Sequence, residues 1–275
     1  MKPTSYLRQF AGSILSRRSK LLKRSYLLPS KHLERDVLID VYRPAVPPWR
    51  LVQLAIFNDG QDFKRMEAKR RMKKAYKKGT LKPTVVVGVH AGDRMREYGS
   101  SARTDDQGRG DLAGAYEKFI CEELYPYLLE RNNIFHDPRR RAIAGFSLGG
   151  LSAFDLAWRR PSIFGTAGIF SGALWYRTKP FDPARPDANR MVHGYVERSQ
   201  RPAAGRFWFM AGTEDETSDR NNNGIIDAID DTLQLMALLE QKGFSKEQLA
   251  YVEVEGGRHE PETWGEVLVD FLRWI

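Results

Sequence analysis

The chain has 275 residues, 41% of them hydrophobic and 29% charged, and no apolar run reaches membrane-spanning length; this excludes a disordered chain and a helical membrane protein. The net charge of +9 would suggest a polyanion binder if it were spread evenly, but residues 1–33 hold eight Lys/Arg and no acid, and residues 64–78 hold nine against Glu67, so the rest of the chain is acidic on balance. The single cysteine, Cys121, excludes an internal disulfide and reads as a core thiol beside Phe119 and Ile120.

Residues 1–23 read as a basic N-terminal extension ahead of one domain over 24–275. Arg17 and Arg18 follow Ile14-Leu15 too soon for the apolar region of a secretory signal, which predicts a cytoplasmic protein. Leu7, Phe10 and Ile14 near one face would allow weak contact with a membrane surface; the plainer reading is a solvated, frayed segment. Strands are expected at Asp36–Pro44, by alternation, and at Leu51–Phe57, by an unbroken apolar run. A basic helix follows over about 63–78, closed by Gly79, and then a strand at Thr84–Val89. A long helix is predicted over about 111–131 and a strand over Arg141–Phe146. Leu148, Leu151, Phe154 and Trp158 recur as one face of a helix. A strand at Phe164–Gly172 leaves for a Pro- and Arg-rich excursion over 173–204. Arg206–Gly212 and Ala250–Gly257 read as strands around a helix near 228–242, and Trp264, Val267, Leu268, Phe271 and Leu272 mark a closing helix. Alternating strands and helices predict an α/β fold with a mostly parallel sheet covered on both faces. Chemistry in such sheets gathers at the carboxyl ends of the strands.

Gly145-Phe146-Ser147-Leu148-Gly149 sits between a predicted strand and a predicted helix, the context in which G-x-S-x-G forms a nucleophile elbow. A serine hydroxyl needs a base to become nucleophilic. Of five histidines, His259 lies after the last strand, where the order serine, acid, histidine requires the base. The acid belongs after the penultimate strand, where Glu214, Asp215, Glu216 and Asp219 lie; Asp215 is the first choice and Asp219 the second. Two backbone N–H groups must face the oxyanion: that of Leu148, after the serine, and one from the early loop Phe57–Phe63, assigned to Gln61 with Gly60 as the alternative.

With these residues placed, the chain resembles the esterase family of α/β hydrolases that contains enterochelin, feruloyl and acetyl xylan esterases, S-formylglutathione hydrolases and mycolyltransferases. The matching stretches are LERDVLIDVYRP, FNDGQDF, HAGDRMREYG, FICEELYPYL, AGFSLGGLSA, GTEDE and GGRHEPETW. The resemblance implies the α/β-hydrolase fold, a triad of Ser147, Asp215 and His259, and oxyanion donors at Gln61 and Leu148. It also implies that Arg96 and Glu97, in DRMREYG, lie at the mouth of the site, as substrate contacts or as an ion pair bracing a long loop. The enterochelin enzymes' separate N-terminal domain has no counterpart in the sequence.

Asp219, Asn221, Asn223, the carbonyl of Ile225, Asp227 and Asp230 match much of a calcium loop, with Gly224 at its turn; the alternative is an Asn-Gly turn followed by a capped helix. A structural Ca2+ would brace Asp215 without entering the chemistry, and no cofactor is required. The expected partner is a small-molecule ester, hydrolysed through an acyl-serine intermediate; no nucleic acid is expected. The basic helix would steer anionic substrates or simply be a solvated face. The alternatives are an acyltransferase on the same scaffold and a non-catalytic binder that uses the basic segments.

Overall fold

The computed structural model describes residues 20–200 and 204–275. The strands are β1 (Leu21–Ser30), β2 (Arg35–Pro44), β3 (Gln53–Asn58), β4 (Thr84–Val89), β5 (Arg141–Phe146), β6 (Thr166–Phe170), β7 (Arg206–Glu214) and β8 (Leu249–Arg258). They form one sheet in the order β1-β2-β4-β3-β5-β6-β7-β8. The pairs β1–β2 and β2–β4 are antiparallel, and every pair from β4–β3 to β7–β8 is parallel. This is the mixed α/β architecture expected. The helices are α1 (Ala68–Lys77), α2 (Arg94–Glu97), α3 (Ala113–Lys118), α4 (Tyr125–Arg131), α5 (Leu148–Arg159), α6 (Met191–Arg198), α7 (Asp227–Gln241) and α8 (Pro261–Trp274). Among the described residues no helix is long and apolar enough to cross a membrane.

Every residue of β3, β4, β5 and β6 is buried, as strands covered on both faces must be. On one face, Met72 of α1 and Leu268 and Phe271 of α8 pack with Phe57, Phe146, Phe170 and Trp208. On the other, Tyr116, Leu151, Phe154, Val192 and Leu235 pack with Ile56, Val87, Ile143 and Phe209. The sheet separates two cores, and its parallel strands all end at one rim.

Several elements differ from those expected. β1 carries Lys23 and Arg24 and buries Leu21, Leu28 and Ser30, so its apolar signal is diluted as an edge strand's commonly is. Its first residues fall within the basic extension expected over 1–23; residues 1–19 of that extension, with Leu7, Phe10 and Ile14, lie outside the described residues. The helix expected over 63–78 begins only at Ala68, after a 3-10 turn at Gly60–Lys64. The long helix over 111–131 contains a π-helical stretch, Phe119–Leu124, between α3 and α4.

Inside the 173–204 excursion, α6 buries His193, whose Nε2 lies 2.9 Å from the carbonyl of Asp231. Burial first, and the nearby Arg190 guanidinium second, push its pKa down from 6.5 to about 3. The unfolded chain takes up this proton near pH 6.5 while the folded chain does not until about pH 3, so stability falls as pH drops through that window. The expected slope is up to about 1.4 kcal/mol per pH unit. His193→Gln, which keeps a donor for Asp231, should flatten the fall in Tm between neutral pH and pH 5; an unchanged slope would contradict this account.

Candidate active site

Five polar residues follow parallel strands at the same rim: Asn58 ends β3, Ser147 follows β5, Ser171 follows β6, Asp215 follows β7 and His259 follows β8. Ser147 has φ 54° and ψ −121°, a conformation that L residues rarely adopt. It is held there by its N–H, which donates to Phe170 O (2.9 Å), and by its carbonyl, which accepts from Gly150 (3.0 Å), Leu151 (3.1 Å) and Ala173 (2.9 Å). Glycine is obligatory on both sides: a Cβ at Gly145 would lie 2.3 Å from Gly149 O, and one at Gly149 would lie 2.7 Å from Asp59 Oδ2. Leu148 opens α5, where backbone N–H groups lack intrahelical acceptors.

Asp215 and His259 come together, with Nδ1 3.5 Å from Oδ1; the carboxylate is fully buried and the imidazole is 41% exposed. The carboxylate also accepts from Gly212 N–H (2.9 Å) and Ser171 Oγ (3.0 Å). Ser171 Oγ in turn accepts from Trp264 Nε1 (3.0 Å). Trp264 meets the imidazole edge-on at 5.4 Å and stacks at 4.9 Å on Phe146, the residue before the serine. One indole thus ties Asp215, through Ser171, to His259 and to the turn that carries Ser147. Between the pairs Gly212–Val254 and Glu214–Arg258, β8 carries two extra residues, and Gly256 there has φ 65°. A Cβ on Gly212 would sit 2.3 Å from Gly257 O, so this close backbone approach sets how β8 delivers His259 to Asp215.

The second acid candidate is engaged elsewhere: Asp219 accepts from the N–H groups of Asn223 (3.0 Å) and Gly224 (2.8 Å). Glu214 pairs with Arg258 on the surface at 3.1 Å. Glu216 is half-buried, and burial first and Asp227 second raise its pKa.

The loop after β3 packs against the elbow. Asn58 Nδ2 donates to Gly149 O (2.7 Å), and Tyr116 OH donates to Asn58 Oδ1 (2.6 Å). Asp59, left-handed at φ 60° and fully buried, receives two hydrogen bonds from Arg94 (2.7 and 3.0 Å) and one from Gln61 Nε2 (2.7 Å). Gly60 lies so close to β4 that a Cβ would come within 2.4 Å of Gly88 C. The 3-10 turn then starts, with Gln61 in its first residues, and Gln61 Oε1 accepts from Ala91 N–H (3.3 Å).

Arg96 and Glu97 require a correction. Glu97 is 2% exposed, and both its oxygens are held by Arg35 at 2.7 Å, with Gly92 N–H adding a third contact at 3.2 Å. Arg96 pairs instead with Asp111 on the surface. The two therefore brace different segments, and the arginine of DRMREYG that reaches the elbow loop is Arg94. Asn58, Asp59, Arg94, Ser171 and Trp264 carry no role in the sequence reading; FNDGQDF held the first two in view, but only folding reveals what they touch.

The loop expected to hold calcium is internally bonded. Among the described residues no group of three or more His, Cys, Asp and Glu side chains is placed to hold a metal ion. Asn221 donates to Asp187 (3.2 Å) and Asp230 (2.9 Å), Asn223 Oδ1 accepts from Ile225 N–H (2.8 Å), and Asp227 accepts from Arg220 N–H (3.0 Å). Positive charge comes from Arg220, whose guanidinium sits among Asp187 (2.8 Å), Asp227 (3.3 Å) and Asp231. Of the residues expected to hold calcium, this guanidinium reaches only Asp227, at 3.3 Å.

Residues 30–275 match the family model described as "Putative esterase". The chain is 24% identical over 208 residues to the uncharacterized protein YbbA of Bacillus subtilis (strain 168), covering 74% of this chain and 78% of that one. Among solved structures, a ferulic acid esterase superposes with a TM-score of 0.69 at 19% identity, covering 93% of this chain and 96% of that one. The enterochelin esterase of Shigella flexneri gives a TM-score of 0.72 at 19% identity over 92% of this chain but 57% of its own. These structural likenesses show the α/β-hydrolase fold.

Proposed function

The chain belongs to the Putative esterase family, and from that premise we propose that it is a serine carboxylic-ester hydrolase with Ser147 as nucleophile. The observation that carries the reading is the Asp215–His259 pair, 3.5 Å apart and linked through Trp264 and Phe146 to a serine in a strained strand-to-helix turn. His259 Nε2 takes the proton from Ser147 Oγ as that oxygen bonds to the ester carbonyl carbon. Asp215 holds Nδ1–H and stabilises the imidazolium. The backbone N–H groups of Leu148 and Gln61 receive the developing oxyanion, each worth roughly 3–4 kcal/mol in the transition state. Collapse breaks the ester C–O bond, the alkoxide leaves with the proton from His259, and water repeats the sequence to release the acid. Asn58, Asp59 and Arg94 are positioning residues for the Gln61 loop, and Ser171 and Trp264 for the acid and base.

The substrate is a small-molecule ester of the siderophore or carbohydrate-linked aromatic kind. A panel of short-acyl, feruloyl, thioester and catecholate esters tests the reading with Ser147→Ala as control. Turnover of at least one ester by the wild type and of none by the variant is expected; turnover that survives the substitution would refute the mechanism.

A further inference from the structure

A cleft of about 700 Å3 opens beside the elbow loop and shares Gly60 and Gln61 with it. The buried rings of Tyr42 and Phe63, 5.6 Å apart, give it an aromatic lining. Two of its cations are neutralised, Lys23 by Asp40 at 2.8 Å and Arg70 by Glu67. Asp40 is further occupied by Ser25 (2.5 Å) and His90 (3.2 Å), so neither lining carboxylate is free to balance another charge. Lys64, Lys69 and Lys73 remain, without an ion-pair partner among the described residues.

The helix creates this arrangement. Ala68, Met72, Ala75 and Tyr76 of α1 face the core, which leaves Lys69 and Lys73 four residues apart on the outer face. Like charges at that spacing repel, and an anion between them would relieve the repulsion. A solvated basic face requires no cavity. Here the three lysines line a concavity of small-ligand size that Tyr42 and Phe63 also line, next to the loop assigned to oxyanion binding.

We propose that this cleft is a specificity subsite for an anionic group, a carboxylate, sulfate or phosphate on an apolar body, carried by the ester substrate. The proposal rests on the esterase reading above. It is tested with two esters that share a leaving group, neutral 4-nitrophenyl butyrate and anionic mono-4-nitrophenyl glutarate. In the double variant Lys69→Glu/Lys73→Glu, kcat/KM for the anionic ester is expected to fall about tenfold or more while the neutral ester stays within about twofold. Raising salt from about 50 to about 300 mM should weaken the wild type on the anionic ester alone. A readout independent of turnover is calorimetric binding of glutaric acid mono-4-nitroanilide to Ser147→Ala, with and without the two lysine substitutions; the same loss is expected. If the neutral ester is hydrolysed but the charge reversal moves both esters alike or neither, the subsite is overturned and the esterase reading stands. If no ester is turned over but anilide binding appears and is lost on charge reversal, the anion site survives and the esterase reading fails. Displacement of the anilide by duplex DNA at lower concentration would overturn the subsite in favour of a polyanion surface.

Discussion

Ser147→Ala is expected to lower kcat by a factor on the order of 10⁵–10⁶ with little change in KM, because nucleophile and base act as one unit and removing either loses nearly the whole effect. Fold and Tm should be preserved, since alanine keeps a Cβ in the same backbone conformation. Ser147→Gly separates chemistry from strain. Glycine accepts φ 54°, ψ −121° without cost, so this variant should be as inactive but more stable by about 1–2 kcal/mol. For a chain of this size that raises Tm by several degrees, at roughly 2–4 °C per kcal/mol. Single-turnover kinetics and thermal melts of the pair check both halves; a glycine variant less stable than the alanine one would show that the elbow stores no strain.

Arg220→Ala should be the most damaging substitution away from the chemistry. The side chain is 7% exposed and faces Asp187 of the excursion together with Asp227 and Asp231 of α7. Its own pKa is raised further by these partners, against the opposing effect of burial. Among the described residues, removing it leaves Asp227 without a cationic partner and Asp187 and Asp231 to Arg190 alone, at a cost of about 3 kcal/mol. Arg220→Lys should recover only part of this, because an ammonium cannot fork between carboxylates as a guanidinium does. Thermal melts should show Tm falling by roughly 10 °C in the alanine variant. A wild-type Tm that rises with calcium and falls with a chelator would support ion binding over Asp219–Asp230, and a Tm that neither moves would rule it out.

The legible parts of the fold were those where one physical signal dominates. β3, β4 and β5 are apolar runs buried on both faces, and the spacing of Trp264, Leu268 and Phe271 marks the closing helix. β1 was illegible because an edge strand with charged residues lacks a clean alternation. In the site, Ser147, Asp215 and His259 could be nominated because each follows a strand. Arg220 could not: its sequence neighbours suggest a metal loop, and only the packing of α7 against the excursion shows three carboxylates around one guanidinium. Glu97 shows the opposite failure, where a motif pointed to the mouth of the site and the fold turned the carboxylate inward to Arg35.

Peptide mapping after inhibition with a fluorophosphonate ester tests the account most directly, because only a serine activated by a base and facing oxyanion donors reacts rapidly with that electrophile. The account predicts one adduct per chain, on the peptide containing Ser147, formed in step with the loss of esterase activity. An enzyme that loses activity through an adduct on another residue, or that hydrolyses esters while Ser147 stays unmodified, would contradict it.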